Sequence, residues 1–463
     1  MADAPWQGDA CSLVDAFRAG ERSPVEELGA TLAAIESSTL NAFTWLDAER
    51  ATERAAGADV SLPFGGVPIG IKGLEAVEGW PYHEESLAFA DRVADYSTTS
   101  FTRLVERGGA VPVGQTLASE FGGLNVSTNK LHGTCHNPWR HGATAGGSSG
   151  GSSSAVAGGL VTIASGGDGG GSIRIPAGFC GLLGMKGTAG RIPRGPHTAI
   201  HPMTVVMGCQ ARSVRDVARW YDVTSGYDSR DPYSLPRIDG WERDLGTFDL
   251  RGKRVAIAPT LGTAVVRDEV VDRVASAAHA LARDVGLVVV DVPISLPPLD
   301  LTWALANLAT LHNDLEGLWP ECRDLLTKEI AFGMEMSEKM VDVHVVAKGE
   351  AARTAANERM AAIFDEVDFV ISATNPDVAF PAHITANTRV GDRKVDLGNN
   401  GALTIPANIS GNPAVSIPVE PFDGLPVGIQ IIGRHHEDQL LLDLALAVER
   451  STPWPLVAPS APL

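Results

Sequence analysis

The chain has 463 residues, of which 44% are hydrophobic, and its mean hydropathy is +0.03, which predicts a sizeable core and argues against general disorder. The formal net charge is −19 without a long basic run, which argues against a nucleic-acid or anionic-membrane surface. Neither a bilayer-spanning apolar stretch nor a secretory signal is expected from the sequence, since no basic segment with an apolar core opens the chain.

Helices and strands alternate along the chain. Apolar residues from 12 to 37 recur at helical spacing, and a break at Arg22–Pro24, with Ser23 as N-cap, predicts two helices there. The other predicted elements are a strand entered at 40–43, a strand at 65–72, a helix at 98–108, strands at 110–115 and 254–259, a helix at 268–283, strands at 286–292 and 369–372, and a helix at 439–449. This alternation predicts an α/β fold with a largely parallel sheet, followed by an irregular proline-rich tail.

Residues from about 297 to 352 carry large apolar side chains at helical spacing. Such residues more often form core than a pocket, although methionine also suits irregular apolar cavities. The residues are Trp303, Leu305, Leu308, Leu311, Leu315, Leu318, Phe332, Met334, Met336 and Met340.

The cysteines of the chain are odd in number and have neither Cys-x-x-Cys nor Cys/His ligand spacing. They are Cys11, Cys135, Cys180, Cys209 and Cys322. Isolated cysteines of this kind are typical of reduced, mostly buried thiols, so a cytoplasmic protein without a metal site is expected.

Two glycine–serine clusters, at residues 146–152 and 168–172, enclose an apolar run from 155 to 164. Glycine lets the backbone approach a ligand closely, and successive free N–H groups can form a concave anion site. Serine is the only candidate nucleophile in either cluster. The pattern predicts a serine acyl-transfer site in which backbone amides hold the oxyanion. A flexible linker would not enclose such an apolar run. A phosphate-binding P-loop would need Gly-Lys-Ser/Thr, which does not follow at the required spacing.

The sequence GGSSGGS at 146–152, followed by DGGGSIR at 168–174, resembles the signature of the amidase signature family of serine hydrolases. Ser148 and Ser172 are 24 positions apart, as in that family, and the strand GVPIGIK resembles the family's strand that ends in a lysine, here Lys72. Segments 114–116, 120–121, 133–139, 404–413 and 424–433 also match. The departures are Gly73, where the family usually has Asp, Ala145 in place of Pro, and Gly169 in place of a β-branched residue.

The resemblance implies a role for each matched residue. Ser172 would be the nucleophile, Ser148 the bridging serine after a cis peptide bond with Gly147, and Lys72 the base, with burial depressing its pKa. The implied oxyanion hole consists of the N–H groups of Gly169, Gly170, Gly171 and Ser172, and the implied supporting residues are Ser149, Asp168 and Arg174. Ser152, Ser153 and Ser154 are expected to cap the following helix.

The resemblance also implies the architecture and the activity. It implies a single α/β/α domain over residues 1–463, built around a large mixed, mostly parallel sheet. The core of this domain spans residues of about 10–450. A variable region of about 297–352 is expected to line a substrate funnel. The expected activity is hydrolysis of linear or cyclic amides, with carbamates and aryl esters accessible, without a metal or organic cofactor. The loop DGGGSIR at 168–174, which contains Ser172 and is the nucleophile loop of this chain by resemblance, is similar to that of members acting on nylon oligomers and urethanes. Small-molecule substrates, no nucleic acid or membrane partner, and a homodimer are expected.

Three other hypotheses remain open at this stage. Residues 146–150 satisfy G-x-S-x-G, the nucleophile elbow of α/β-hydrolases, which would make Ser148 the nucleophile and require a distant histidine such as His383, His435 or His436. One component of a tRNA-dependent amidotransferase shares the signature but needs partner subunits. A non-catalytic scaffold would be expected to lack one triad residue, and all three are present.

Overall fold

The computed structural model describes residues 4–199, 203–297 and 299–462, so the ends of the predicted domain (1–3 and 463) and position 298 of the predicted variable region lie outside the described residues. The α-helices are α1 (Ala10–Ala19), α2 (Pro24–Ser37), α3 (Ala48–Ala56), α4 (Thr99–Glu106), α5 (Gly150–Ala157), α6 (Arg174–Cys180), α7 (Val214–Thr224), α8 (Asp268–Val285), α9 (Asp300–Asp314), α10 (Lys328–Met340), α11 (Val343–Glu366), α12 (Ile405–Ile409) and α13 (Asp438–Ser451).

The strands alternate with these helices. They are β1 (Phe43–Leu46), β2 (Pro68–Lys72), β3 (Val111–Thr116), β4 (Thr128–Asn129), β5 (Gly133–Thr134), β6 (His136–Asn137), β7 (Arg140–Thr144), β8 (Ile163–Asp168), β9 (Leu183–Lys186), β10 (Val206–Ala211), β11 (Arg254–Ile257), β12 (Val288–Val289), β13 (Phe369–Ala373), β14 (Arg389–Val390), β15 (Arg393–Lys394), β16 (Ala414–Phe422) and β17 (Leu425–Gly433).

Eleven of these strands form one mixed sheet in the order β1-β3-β2-β8-β10-β9-β16-β17-β13-β11-β12. The predicted large mixed sheet is confirmed, but the prediction that it is mostly parallel is wrong. Only the pairs β2–β3, β2–β8, β11–β13 and β11–β12 are parallel, while the other six neighbouring pairs are antiparallel.

One physical reason for this error is a hairpin near the C-terminus. Phe422 pairs with Leu425, and the two residues between them, Asp423 and Gly424, have φ angles of 52° and 70°. Asp-Gly between two apolar strands is a strong signal for a type I′ hairpin turn. The segment therefore returns beside itself as β16 and β17 instead of crossing over to a parallel strand.

Helices cover both faces of the sheet, as an α/β/α arrangement requires. One face packs against α1, α7, α8 and α13, and Ile69 of β2 and Ile163 of β8 belong to the apolar core there. Ala164, the next residue of β8, belongs to a second core together with residues of α2, α3 and α5. Successive residues of a strand point to opposite faces, so one strand contributes to both cores.

Most predicted elements are present with small shifts of their ends. Ser23 caps α2 through a capping box with Glu26, which confirms the predicted break between the first two helices. The 286–292 strand shortens to β12. Of the two C-terminal segments that match the family, 404–413 contains the short helix α12 and 424–433 contains the strand β17.

One expectation about side chains is wrong, and a second holds for only some of its residues. Ser152, Ser153 and Ser154 lie inside α5 instead of capping it, and the hydroxyls of Ser152 and Ser154 donate to the backbone carbonyls of Ser165 and His136, respectively. In the variable region Leu311, Leu315 and Met334 are buried, as expected for core, but other apolar residues of the same helices and the loop between them are exposed: Leu318, Phe332, Met336 and Met340. A helix with apolar residues on more than one face cannot bury all of them in one core.

The site is positioned by two parallel neighbouring strands. In the register of β2 and β8, Ile69 lies opposite Ile163, so both strands end at the same edge of the sheet. Lys72 is the last residue of β2 and Asp168 is the last of β8. Ligand sites of open α/β sheets lie outside the carboxyl ends of such strands.

Candidate active site

Lys72 is buried at the end of β2 and points into the site. Its Nζ lies 2.7 Å from Ser148 Oγ and 3.2 Å from the carbonyl oxygen of Gly167. Burial lowers the pKa of Lys72 from 10.5 to about 7, against the opposing charges of Asp168, Glu75, Glu85 and Glu84. A substantial fraction of this lysine is therefore neutral near pH 7 and able to accept a proton.

The peptide bond between Gly147 and Ser148 is cis, as the family resemblance implied. The carbonyl oxygen of Ser148 accepts from the hydroxyl of Ser127 and the backbone N–H of Ser119. The carbonyl of Ser172 accepts from the N–H of Ser149 at 3.3 Å, which ties the two glycine–serine clusters together. The backbone thus holds the two predicted catalytic serines in neighbouring turns.

The loop between Asp168 and Ser172 is anchored by its own first residue. Gly171 has a φ of 127°, a region that favours glycine, and its N–H donates to Asp168 Oδ1 at 2.8 Å. The N–H of Gly171 is thus engaged by a carboxylate and does not fit the predicted role of an oxyanion donor. The donors that remain from that prediction are the N–H groups of Gly169, Gly170 and Ser172.

Asp168 and Arg174 form a fully buried ion pair behind this loop. The guanidinium donates to both carboxylate oxygens at 2.9 Å. Burial by itself raises the pKa of the Asp168 carboxyl, but the charge and hydrogen bonds of Arg174 and a hydrogen bond from Asn408 outweigh it and hold the pKa well below the usual range. Arg174 also donates to Asn408 Oδ1 and to Gln430 Oε1. Sequence reasoning assigned no role to Asn408 and Gln430, although both stand in C-terminal segments that match the family.

A cavity of about 160 Å³ opens above these groups. Four predicted site residues line it: Lys72, Ser148, Gly169 and Ser172. Its other walls are mainly apolar, formed by Leu74, Phe121, Val205, Met207 and Trp303, with Glu75 and Asn307 as polar members and glycines at 122, 123 and 167. The structure brings the lysine and both serines to one cavity, while Asp168, Arg174 and Ser149 are buried and are not among the residues that line it.

Trp303 and Thr404 donate hydrogen bonds to backbone carbonyl oxygens of the nucleophile loop. The indole N–H of Trp303 donates to the carbonyl oxygen of Gly169 at 2.7 Å, and the hydroxyl of Thr404 donates to that of Gly170 at 2.6 Å. The indole also covers Gly170, where a Cβ atom would come within 2.9 Å of the ring. Sequence reasoning included Trp303 among the residues that more often form core, because helical spacing alone does not reveal which apolar face borders a cavity.

The nucleophile-elbow hypothesis does not agree with this geometry. It requires a histidine next to Ser148, but Ser148 Oγ contacts Lys72 Nζ, and no histidine of the described chain lines the cavity. The ring of His435 contacts the carbonyl oxygen of Ser410, and the backbone N–H of His436 donates to Thr188.

The five cysteines are buried and form no disulfide, as expected from the sequence. Over the described ranges, no group of three His, Cys, Asp or Glu side chains is arranged to hold a metal ion. None of the helices within the described ranges is long and apolar enough to cross a bilayer.

Sequence comparison places the chain among known proteins. The family model described as Amidase matches residues 26–442. An acylamidase of Rhodococcus erythropolis is 31% identical over 90% of this chain and 89% of that protein. One of the subunits of the glutamyl-tRNA(Gln) amidotransferase of Akkermansia muciniphila is 32% identical over 96% of this chain and 99% of that protein.

Solved structures with the same fold include two amide hydrolases. A bacterial aryl acylamidase of the amidase signature family superposes with a TM-score of 0.89, at 27% identity over 97% of each chain. A 6-aminohexanoate cyclic dimer hydrolase, solved with its substrate, superposes with a TM-score of 0.86, at 26% identity over 99% of each chain.

The fold and the family match define the class of protein as a hydrolase of amide C–N bonds. The chain belongs to the Amidase family, the amidase signature enzymes. It is therefore an enzyme and not a non-catalytic scaffold.

Proposed function

We propose that this enzyme hydrolyses small uncharged amides, above all N-acyl arylamines, through an acyl-enzyme on Ser172. The observation that carries the proposal is the contact of Lys72 Nζ with Ser148 Oγ at 2.7 Å, in the same largely apolar cavity that Ser172 lines. The names of two relatives, an acylamidase and an aryl acylamidase, support the same substrate class.

The proposed reaction uses a proton relay. Neutral Lys72 takes the proton of Ser148 as Ser148 takes that of Ser172, and Ser172 Oγ forms a bond to the substrate carbonyl carbon. The N–H groups of Gly169, Gly170 and Ser172 stabilise the oxyanion. The relay returns the proton to the leaving amine as the C–N bond breaks. Water then attacks the acyl-serine ester by the same relay, which releases the carboxylic acid and restores Ser172.

The charge of the cavity separates this proposal from the amidotransferase hypothesis. Lys72 is the only basic residue that lines the described cavity, and the relay needs it neutral. A substrate carboxylate, as in glutamine, would therefore be buried without a cationic partner, which is costly. The cavity is also smaller than the roughly 300–1,000 Å³ of pockets for drug-sized ligands, which favours a short acyl group or a single ring.

Several expectations from the sequence accompany this proposal. We infer that the variable region of about 297–352 forms part of the substrate funnel, which is supported by Trp303 and Asn307 in the cavity wall. A cytoplasmic location is supported by the five buried cysteines without a disulfide. Carbamates and aryl esters remain predicted substrates, and a homodimer without nucleic-acid or membrane partners remains a prediction.

The test combines active-site labelling with a substrate panel. We expect an alkyl fluorophosphonate probe to form one adduct, located on Ser172 by peptide mass spectrometry. We expect acetanilide and a nitrophenyl ester to be hydrolysed much faster than glutamine. An adduct on Ser148 would support the nucleophile-elbow hypothesis instead, and hydrolysis of glutamine in preference to anilides would support the amidotransferase hypothesis.

Trp303→Phe is expected to lower kcat for an aryl amide about 3- to 10-fold, because phenylalanine keeps most of the packing but loses the hydrogen bond to the Gly169 carbonyl, worth about 1 kcal/mol. Steady-state kinetics at a fixed pH measures this effect. Trp454→Phe is the matched control, since it removes an indole hydrogen bond to the Arg212 carbonyl in the C-terminal tail. Equal effects of both substitutions would contradict a role for Trp303 in ordering the nucleophile loop.

A further inference from the structure

Asn307 is a polar residue of the cavity wall that the proton relay does not use. It stands on α9, one helical turn after Trp303, and both residues line the cavity. Residues four apart lie on the same face of a helix, so this face of α9 borders the site. Other residues of α9, among them Leu311 and Leu315, are buried in a separate apolar cluster. The helix thus places one amide group among the apolar residues around the substrate.

The hydrogen bond that Asn307 makes leaves its amide oxygen free. Nδ2 donates to the backbone carbonyl oxygen of Trp303 at 2.8 Å. A carbonyl oxygen can only accept, so the NH₂ group must be the end bound to it, and Oδ1 is the other end. Oδ1 accepts no hydrogen bond from the described residues, and it is not among their unpaired polar atoms that are shielded from solvent. It can therefore accept from a molecule in the cavity.

Glu75, the other polar residue of the wall outside the relay, is held differently. Its Oε1 accepts from the hydroxyls of Thr98 and Ser100 at the start of α4. Its Oε2 is shielded from solvent, and the residue as a whole is only 2% exposed. Glu75 is thus a buried part of the wall. Among the described side chains that line the cavity, Asn307 is the accessible acceptor that takes no part in the proton relay.

A secondary amide brings a hydrogen-bond donor into this cavity, namely its N–H group. In the proposed mechanism the backbone N–H groups of Gly169, Gly170 and Ser172 receive the substrate carbonyl oxygen, and they cannot pair with a second donor. An N–H group that leaves water without finding an acceptor loses free energy. The corresponding ester has an oxygen in the same place and no such hydrogen. An acceptor beside the scissile bond therefore discriminates amides from esters.

We propose that Asn307 is a specificity-determining residue: its Oδ1 accepts the hydrogen bond of the scissile N–H group and thereby favours secondary amides over the corresponding esters. This inference rests on the proposed function, because it places the substrate in the cavity that Ser172 lines. An uncharged acceptor suits this site. A carboxylate in the same place would favour the protonated form of Lys72, which the relay needs neutral.

The surroundings of α9 agree with this role. Trp303 connects the helix to the nucleophile loop through its indole hydrogen bond. The apolar cluster of α9 also packs against Phe121, and the next residue along the chain, Gly122, lies beside Ser148, because a Cβ atom built on Gly122 would be 3.4 Å from Ser148 Oγ. Asn307 therefore belongs to a helix that spans the cavity between the nucleophile loop and the serine that returns the proton to the leaving nitrogen.

The test compares acetanilide with phenyl acetate, which share the acyl group and the ring and differ in N–H against O at the scissile bond. kcat/KM is measured for both substrates at one pH in wild type and in Asn307→Leu. Leucine has a similar volume but no acceptor, so kcat/KM for acetanilide is expected to fall about 3- to 10-fold relative to that for phenyl acetate. The ratio is the readout, because losing the bond to the Trp303 carbonyl would change both substrates together.

Asn307→Asp separates the two hydrogen bonds of this side chain. Aspartate has nearly the same shape and keeps an oxygen acceptor, but as a carboxylate it cannot donate to the Trp303 carbonyl. It is expected to keep at least the wild-type ratio of acetanilide to phenyl acetate, even though its charge near Lys72 lowers both rates. A ratio that falls as far as in Asn307→Leu would overturn the inference, since the donor end of the amide would then be the important one.

Asn313→Leu is the matched control, because Asn313 is an exposed residue near the end of α9 that does not line the cavity. Its ratio should equal that of wild type. An unchanged ratio in Asn307→Leu overturns the inference and leaves the proposed function intact, whereas a wild type that does not hydrolyse acetanilide contradicts the proposed function itself. If Asn307→Leu fails to fold, Asn307→Ala provides the same comparison, because it also removes the acceptor.

Discussion

Replacing Ser172 with alanine is expected to lower kcat/KM for an aryl amide about 10⁴- to 10⁶-fold, as removal of a serine nucleophile does in other hydrolases. The substitution deletes only the Oγ atom that would form the acyl bond. The carbonyl of residue 172 would still accept from the Ser149 N–H, and Asp168 would still hold the Gly171 N–H. The variant should therefore fold and bind substrate while losing the chemical step.

Ser153→Ala is the matched control for this prediction. Ser153 is also buried, lies within α5 directly after the first glycine–serine cluster, and does not line the cavity. It should keep activity close to that of wild type, and circular dichroism and thermal melting would show that both variants are folded. If Ser172→Ala stays within tenfold of wild type while Ser148→Ala is inactive, Ser148 is the nucleophile and the relay is assigned in the wrong order.

Lys72→Met is expected to lower kcat/KM about 10²- to 10⁴-fold, the usual contribution of a general base. Methionine fills a similar volume in the buried site but cannot accept a proton from Ser148. In wild type, kcat/KM should rise with pH through about 7, because burial lowers the pKa of Lys72 to that value and only the neutral amine is active. The variant should lose this acid limb, since the group that titrates has been removed.

Lys186 provides a demanding control, because burial also lowers its pKa to about 7. Its Nζ donates to the backbone carbonyls of Asn412 and Gly187, and it does not line the cavity. Lys186→Met should retain the acid limb even if its stability falls. The opposite pattern, a limb lost in Lys186→Met and kept in Lys72→Met, would show that the base has been assigned to the wrong lysine.

Features that depend on neighbouring residues in the sequence were predictable. The capping box of Ser23 and Glu26 involves residues three positions apart, and the two glycine–serine clusters are joined by one short apolar run. The expectation that Lys72 lies beside Ser148 came from the family resemblance, and the structure places the two side chains in contact. The parallel pairing of β2 and β8 explains why the ends of two distant segments meet at one edge of the sheet.

The antiparallel half of the sheet was missed because alternating helices and strands were taken to indicate parallel crossovers. Strand direction depends on each connection, and the Asp423–Gly424 turn is a local signal that points to an antiparallel hairpin. Similarly, the hydrogen bond from the Gly171 N–H to Asp168 could not be predicted from the sequence. It depends on how the Asp168 carboxylate is oriented within its buried ion pair with Arg174.

The sequence by itself determined the family, the α/β class, the identity of the lysine and serines that meet in the site, and the buried state of the cysteines. Only the tertiary structure decided which distant residues complete the site: Asn408 and Gln430 on Arg174, and Trp303 on the Gly169 carbonyl. The reason is physical. Spacing and turn chemistry act between residues close in the chain, whereas buried hydrogen bonds and charges are satisfied by whichever side chains the packing of remote elements brings within about 3 Å.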